Sequence, residues 1–261
     1  MQSSEINYIW LSEKRLNLLH YLQDGSKDID QIKSHFNINS RLIVPEIKKL
    51  IKAGIIIEAD GLYKLSGIGE LNLENLQSFI DTAELIEIDP DYWENNDLTQ
   101  IPDKLYRRIG ELKNSELHVY DLDDIFDCPD PLRKTISTAK EFFIYMPFLP
   151  PTLPSNFLEP IKNGKKVCMI LTRSILEKME KEFPHEYELH LNSPNCQLFV
   201  CEDGILRPMI VAQDNFLLLG FFKNDGIYGN KELMSNDKKA IEWGQELCRC
   251  YMNIAEPVTK N

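Results

Sequence analysis

Seven residues near the start of the chain have the types and spacing needed to grip a nucleic-acid backbone. Asn39, Ser40 and Arg41 are consecutive, Lys48, Lys49 and Lys52 follow, and Lys64 comes later. At about 3.6 residues per turn, a helix through them puts Arg41, Lys48 and Lys52 on one face with Lys49 alongside. A guanidinium can bond both acceptors of a guanine edge, and short amide or hydroxyl side chains bond a phosphate or a base. The ammonium groups suit phosphates, where charge counts and base identity does not. The plainer alternative is a solvated basic face on an ordinary helix.

Other chemistry finds little footing. The six cysteines, Cys128, Cys168, Cys196, Cys201, Cys248 and Cys250, form no C-x-x-C pair. Zinc needs two close-spaced clusters of thiolates or imidazoles, so no metal site is expected. Reduced thiols used as small apolar side chains are the first reading, and a redox-sensing pair is the second. His20, His35, His118, His185 and His190 are followed two positions later by Leu22, Asn37, Tyr120, Tyr187 and Asn192. A His-x-Lys pair, in which imidazole is the nucleophile and lysine holds phosphate, is therefore missing. No glycine-rich phosphate loop and no G-x-S-x-G elbow occurs. The chain reads as a non-enzyme with no cofactor.

The basic residues need a helix and a hairpin to carry them, and the surrounding sequence predicts both. SEKRLNLLHYLQDG places Leu16, Leu19, Tyr21 and Leu22 near helical spacing, with Ser12 as cap and Gly25 as stop. Asp28 and Gln31 have capping-box spacing ahead of a second helix whose inner face is Ile29, Ile32 and Phe36. A third helix buries Ile43, Ile47, Leu50 and Ile51 and stops at Gly54. IIIEADGLYKL then reads as a hairpin turning at Asp60-Gly61. Three helices and a hairpin make a winged helix-turn-helix, whose third helix enters the major groove.

Pro45 costs about 3 kcal/mol in a helix interior but little in a first turn, so the regular third helix is expected to start near Leu42 or Ile43. Val44, Pro45 and Glu46 stand where a base reader usually carries donors. Reading is therefore expected to rest on phosphates and DNA shape more than on base edges.

The formal charge of −12 at first argues against nucleic acid. Its distribution removes the objection. Residues 1–72 hold nine Lys/Arg and nine Asp/Glu, which leaves 20 of the 29 basic and 32 of the 41 acidic residues to the rest. A neutral head on an acidic body suits docking by the head alone. At 261 residues the chain has room for about two domains. MQSSEINYIW lacks the pattern of a signal peptide and FLLLGFF is too short to span a bilayer, so a cytoplasmic protein off the membrane is expected.

After the hairpin, SGIGELNLENLQSFIDTAELIEI reads as a connecting helix with apolar residues on more than one stripe, which suits a homodimer contact or packing within the chain. A compact connector follows, with one helix expected from Pro102 to Leu112. Within it, DYWENNDLTQIPDKLYRRIGEL (Asp91–Leu112) resembles the middle segment of archaeal, methanogen-type winged-helix transcriptional regulators of the methanogenesis-regulatory Fil type. LFVCEDGI, FLLLGFFKNDGIY and LMSNDKKAIEWGQEL extend the resemblance, and the head fits it. The resemblance implies a DNA-binding regulator whose C-terminal part senses a metabolite or binds a partner. It names no ligand.

From about residue 135 the period changes. EFFIYM, KKVCMIL and CQLFVC alternate with helical segments as βαβαβ, RPMIVAQDNFLLLGFF reads as a hairpin turning at Asp214-Asn215, and a helix is expected from Asn236 to Met252. This order also resembles half of a phospholipase-D-like domain, here without its catalytic pair, which some archaeal sugar-sensing regulators use as an effector domain. Ligands on open α/β sheets bind beyond the carboxyl ends of parallel strands. Pro147, Phe148, Thr172, Arg173 and Glu202 mark those ends as a candidate pocket, with Arg173 as an anion holder. A rigid surface loop and a surface ion pair are the alternative.

The expected architecture is α and α/β: a winged helix-turn-helix at 1–67, a connecting helix and helical connector at 68–134, an α/β effector domain with a mixed, partly parallel sheet at 135–254, and a flexible tail at 255–261. The expected function is transcription regulation through double-stranded DNA, as a homodimer with a possible small-molecule effector. A protein-binding winged helix without DNA is the alternative.

Overall fold

EFFIYM, KVCMILT and CQLFVC lack the alternation of a half-solvated strand, which requires a sheet covered on both faces. The computed structural model, which describes residues 12–121, 128–149 and 156–259, contains that sheet. The chain divides into two compact units, Met1–Ile80 and Asp81–Asn261. The boundary expected from the sequence, 67/68, falls at the start of the helix that this division cuts.

In the first unit α1 (Glu13–Gln23), α2 (Ile29–Phe36) and α3 (Ser40–Lys52) stand with strands β1 (Lys27–Asp28), β2 (Ile56–Ala59) and β3 (Leu62–Leu65). Leu18, Leu19, Leu22, Ile32, Ile43, Ile47 and Leu50 close its core. The predicted capping box forms: the Gln31 N–H donates to the Asp28 carboxylate at 2.8 Å, and the Asp28 N–H to the Gln31 side chain at 2.9 Å. Helix α3 ends in a Schellman motif. The Ile55 N–H donates to the Leu50 carbonyl and the Gly54 N–H to that of Ile51, each at 2.9 Å. Asp60 and Gly61 take φ of 54° and 76°, the left-handed pair of a type I′ hairpin. The two-residue strand β1, which the sequence pattern does not show, pairs with β3 to give the order β1-β3-β2.

One expectation needs correcting. Helix α3 starts at Ser40, not at Leu42 or Ile43, so Pro45 lies in its second turn. The absent N–H would have served the carbonyl of Arg41. Both residues are exposed, so the loss falls on the solvent face, where it costs least.

Helix α4 (Gly67–Ile88) runs 22 residues without a break and gives Leu73 to the first core and Leu85 to the second. The connector then differs from its expected single helix. It forms α5 (Pro90–Asn95), α6 (Asp103–Tyr106), a 3₁₀ turn (Ile109–Leu112) and strand β4 (Glu116–Val119). The 3₁₀ turn packs tightly on α4: a Cβ at Gly110 would come within 2.7 Å of the Thr82 backbone nitrogen.

The second unit carries α7 (Asp130–Ile136), β5 (Glu141–Met146), α8 (Leu158–Lys162), β6 (Lys166–Thr172), α9 (Arg173–Glu182), α10 (Pro184–Asn192), β7 (Cys196–Cys201), β8 (Met209–Gln213), β9 (Leu217–Phe222), β10 (Tyr228–Ser235), α11 (Lys238–Met252) and β11 (Glu256–Pro257). The strand order is β11-β7-β6-β5-β8-β9-β10-β4. Strands β5, β6 and β7 are parallel and the others pair antiparallel. The sheet is thus mixed and partly parallel. One face is covered by α11 and the connector, with Trp93, Leu105, Trp243, Leu247 and Tyr251 in its core. Phe142, Phe157, Met169, Met179 and Leu198 fill the other.

The segment expected as a tail is sheet as far as Pro257, because β11 pairs with β7 and the Val258 N–H donates to the Leu198 carbonyl at 2.8 Å. All six cysteines are free, and burial pushes the Cys168 and Cys196 thiols up to about 12, so they behave as apolar groups. Between β4 and β10, Glu232 is buried and accepts hydrogen bonds from the Tyr120 and Tyr228 hydroxyls at 2.5 and 2.6 Å. Among the described residues no helix is long and apolar enough to cross a membrane.

Candidate nucleic-acid interface

Burial of Ile43, Ile47 and Leu50 fixes which side of α3 faces out. Arg41, Leu42, Pro45, Lys48, Lys49 and Lys52 are exposed there, and Asn39 and Ser40 are exposed at its start. Asn39 is the N-cap in extended conformation, and its side chain makes no cap hydrogen bond, so the amide remains available. The first-turn N–H groups of α3 add a partial positive charge at the same end. Lys64 is exposed on β3, opposite Ile57 of β2. The structure therefore places all seven predicted residues on the surface of the winged unit, six along α3 and its cap and one on the wing.

Their charges are not equally available. Among the described residues Arg41, Lys48 and Lys64 have no carboxylate partner. Lys49 donates to Glu46 at 2.9 Å. Glu46 also receives the buried Arg15 guanidinium of α1 at 2.5 Å. Burial works to raise the Glu46 pKa, but the hydrogen bonds from Lys49 and Arg15 outweigh it and hold the carboxyl below its usual range. Glu46 thus points at α1, and its charge is matched instead of opposing a phosphate.

Leu42 joins the seven predicted residues on this face. It is 61% exposed, next to Arg41 and beside Pro45 on the outward face. Its signal was legible: the apolar positions Ile43, Ile47 and Leu50 define a stripe, and Leu42 lies off it. An apolar side chain in this place can contact a thymine methyl group in the major groove.

The residues proposed for a pocket in the second unit are engaged separately. The Phe148 ring packs on Tyr228 with centroids 4.7 Å apart. Thr172 is buried, with its hydroxyl 3.2 Å from that of Ser174. Arg173 is exposed and pairs with Glu256 at 3.3 Å. Pro147 is half-buried and Glu202 exposed at the ends of β5 and β7.

Two family models match this chain. Residues 4–84 match the N-terminal domain of methanogenesis regulatory protein FilR1, and residues 125–254 match its middle domain. The chain belongs to the FilR1 family. FilR1 from Methanothrix harundinacea (strain 6Ac) is 24% identical over 246 residues, covering 92% of this chain and 55% of the relative. The chain thus spans about half the length of that FilR1 protein. Among solved structures, TrmBL2, an archaeal chromatin protein, is similar with a TM-score of 0.45 and 12% identity, over 93% of this chain and 92% of its own. Nuc, a phospholipase D family member from Salmonella typhimurium, gives 0.41 and 15%, over 56% and 99%. The FilR1 N-terminal match ends inside α4, as the first compact unit does.

Proposed function

We propose that this FilR1-family chain is a transcription regulator that binds double-stranded DNA through its winged unit and receives a signal in its α/β unit. One observation carries the reading. Among the described residues, the outward face of α3 and the wing holds Arg41, Lys48 and Lys64 without carboxylate partners, and the Asn39 and Ser40 side chains are exposed at the helix start. This is an arrangement for phosphates, with Arg41 and Leu42 within the part of the helix that reaches bases. The alternative, a winged unit that binds protein, gives no reason to keep these cations unpaired.

Homodimerisation is supported by α4. Ile68, Leu71, Phe79 and Ile86 are exposed at 60, 55, 71 and 43%, and helical geometry sets them on one stripe with Asn75. A second copy covering that stripe would set two reading helices against two half-sites. A ligand that changes the α/β unit would then alter their spacing.

The test is fluorescence anisotropy with genomic fragments selected by the purified protein, at about 50 mM salt, where phosphate contacts are strong. Sedimentation of the same samples reports the oligomer. Saturable binding by a dimer supports the reading, and Phe79→Asp is expected to give monomers. An intact dimer that binds no fragment at low salt would sink the DNA assignment.

A further inference from the structure

The carboxyl ends of β5, β6 and β7 lie along one edge of the sheet, and β8 begins there because it runs antiparallel to β5, with Ile210 opposite Tyr145. Arg207 sits just before β8. It is only 8% exposed, and its guanidinium carbon lies 5.6 Å from the centre of the Tyr251 ring. The fully buried Tyr145 ring packs on Tyr251 at 5.3 Å. Burial raises the Tyr145 phenol and the Cys201 thiol, and the Arg207 charge works against that rise in both, so the guanidinium faces these two groups.

Among the described residues the charge of Arg207 is unmatched. Arg15, also buried, has Glu46. Arg207 has no acid partner among the described residues and its Nη1 has no hydrogen-bond partner, while the Tyr145 hydroxyl faces this guanidinium and the Cys201 thiol. An arginine cannot escape this by losing its proton, as a buried lysine can. Burying an unpaired charge is costly, and structures keep one where something else supplies the opposite charge.

We propose that Arg207, with the Tyr145 hydroxyl, forms a binding site for the oxyanion of a small molecule, a carboxylate or a phosphate group. The planar guanidinium fork matches two oxygens of either, the phenol donates a third bond, and Tyr251 provides an aromatic wall. The Arg207 Nη1 and Tyr145 hydroxyl atoms are shielded from solvent, so entry of the anion requires the exposed loop Glu202–Leu206 beside them to move. That loop is held to α9 by Asp203, whose carboxylate accepts from the Ser174 hydroxyl at 2.6 Å. Arg207, not the surface-paired Arg173, is the anion holder at this edge. This deepens the signal-receiving half of the proposed function and stands apart from DNA binding.

The experiment is thermal melting of the full chain without DNA, at constant ionic strength, with chloride replaced stepwise by inorganic phosphate or by acetate. The wild type is expected to gain a saturable rise in Tm with at least one of them, phosphate alone or acetate alone naming the group preferred. Arg207→Met is expected to lose that rise and, in chloride, to melt no lower than the wild type, because an unpaired charge has been replaced by an apolar chain of similar reach. Tyr145→Phe is expected to fold normally and show a smaller rise, and it carries the test if Arg207→Met does not fold. No rise with either anion, a rise that survives Arg207→Met or is unchanged in Tyr145→Phe, or an Arg207→Met protein that melts several degrees lower in chloride would overturn the site. Because DNA is absent throughout, failure of the DNA reading leaves this result untouched.

Discussion

Replacing Lys48 by alanine should change how DNA affinity responds to salt more than it changes the fold. Lys48 is exposed on α3 and has no carboxylate partner among the described residues, so its whole charge is available to a phosphate. Arg41 and Lys64 share that status. Each phosphate neutralised contributes about −0.9 to the slope of log affinity against log salt. Three cations per head, in a dimer with two heads, give a slope of about −5.4, or an affinity loss of roughly 1,800-fold between about 50 and 200 mM salt. Removing Lys48 from both heads lowers the slope to about −3.6 and the loss to roughly 150-fold. Lys49→Ala is the control, because its ammonium is already 2.9 Å from Glu46 and its removal releases less free charge. Anisotropy titrations at four or more salt concentrations measure both slopes. An unchanged slope for Lys48→Ala, or a larger change for Lys49→Ala, would refute the assignment of α3 to the phosphates.

Two further outcomes concern the fold. Burial raises the Glu232 pKa above 4.5 despite the hydrogen bonds from Tyr120 and Tyr228 that act to lower it. A raised folded pKa means that the stability due to the neutral carboxyl is full below the ordinary value and lost as pH rises through the folded one. Glu232→Gln, always neutral, should therefore match the wild-type Tm near about pH 4 and exceed it near about pH 7, and a pH-independent difference would contradict the burial argument. Gly69→Ala should destabilise the winged unit by about 1–3 kcal/mol in urea, although alanine is the better helix former, through overpacking. Its Cβ would lie 2.2 Å from the Ile55 carbonyl oxygen, whereas a Cβ at Gly67 meets nothing, so Gly67→Ala should be harmless.

What could be read from the sequence was local. The Asp28–Gln31 box, the Gly54 stop and the Asp60-Gly61 turn are each decided within a few residues, and each formed as expected. The apolar runs of β5 to β7 also announced a parallel core. What could not be read was settled by distant partners. Strands β1, β4 and β11 are short and polar, and only the strand alongside makes them strands. The Arg15–Glu46 pair joins two helices 31 positions apart. Position 110 is glycine because Thr82 lies against it. Arg173 is a candidate anion holder because it stands at the carboxyl end of a parallel strand, yet it meets Glu256, the surface ion pair that was the alternative. Arg207 gave one sign, a single charge between Ile205-Leu206 and Pro208-Met209, which marks a charge going where apolar side chains go.

The pairing of β4 with β10 also sets a timetable for synthesis. Tyr120 and Glu232 are 112 positions apart, so at roughly 5–20 residues per second β4 emerges some 6–22 s before its partner. The indole of Trp93 finds its acceptor at once in Leu85, but Leu105 waits for Trp243, whose indole donates to its carbonyl at 3.0 Å. The winged head has its core contacts within one stretch of chain, so it is expected to fold during that delay. The connector stays open until nearly the last helix is made. A ribosome stalled before β10 would display a finished winged head on a body with an unpaired edge, and chaperones would be expected to hold the nascent chain at that point.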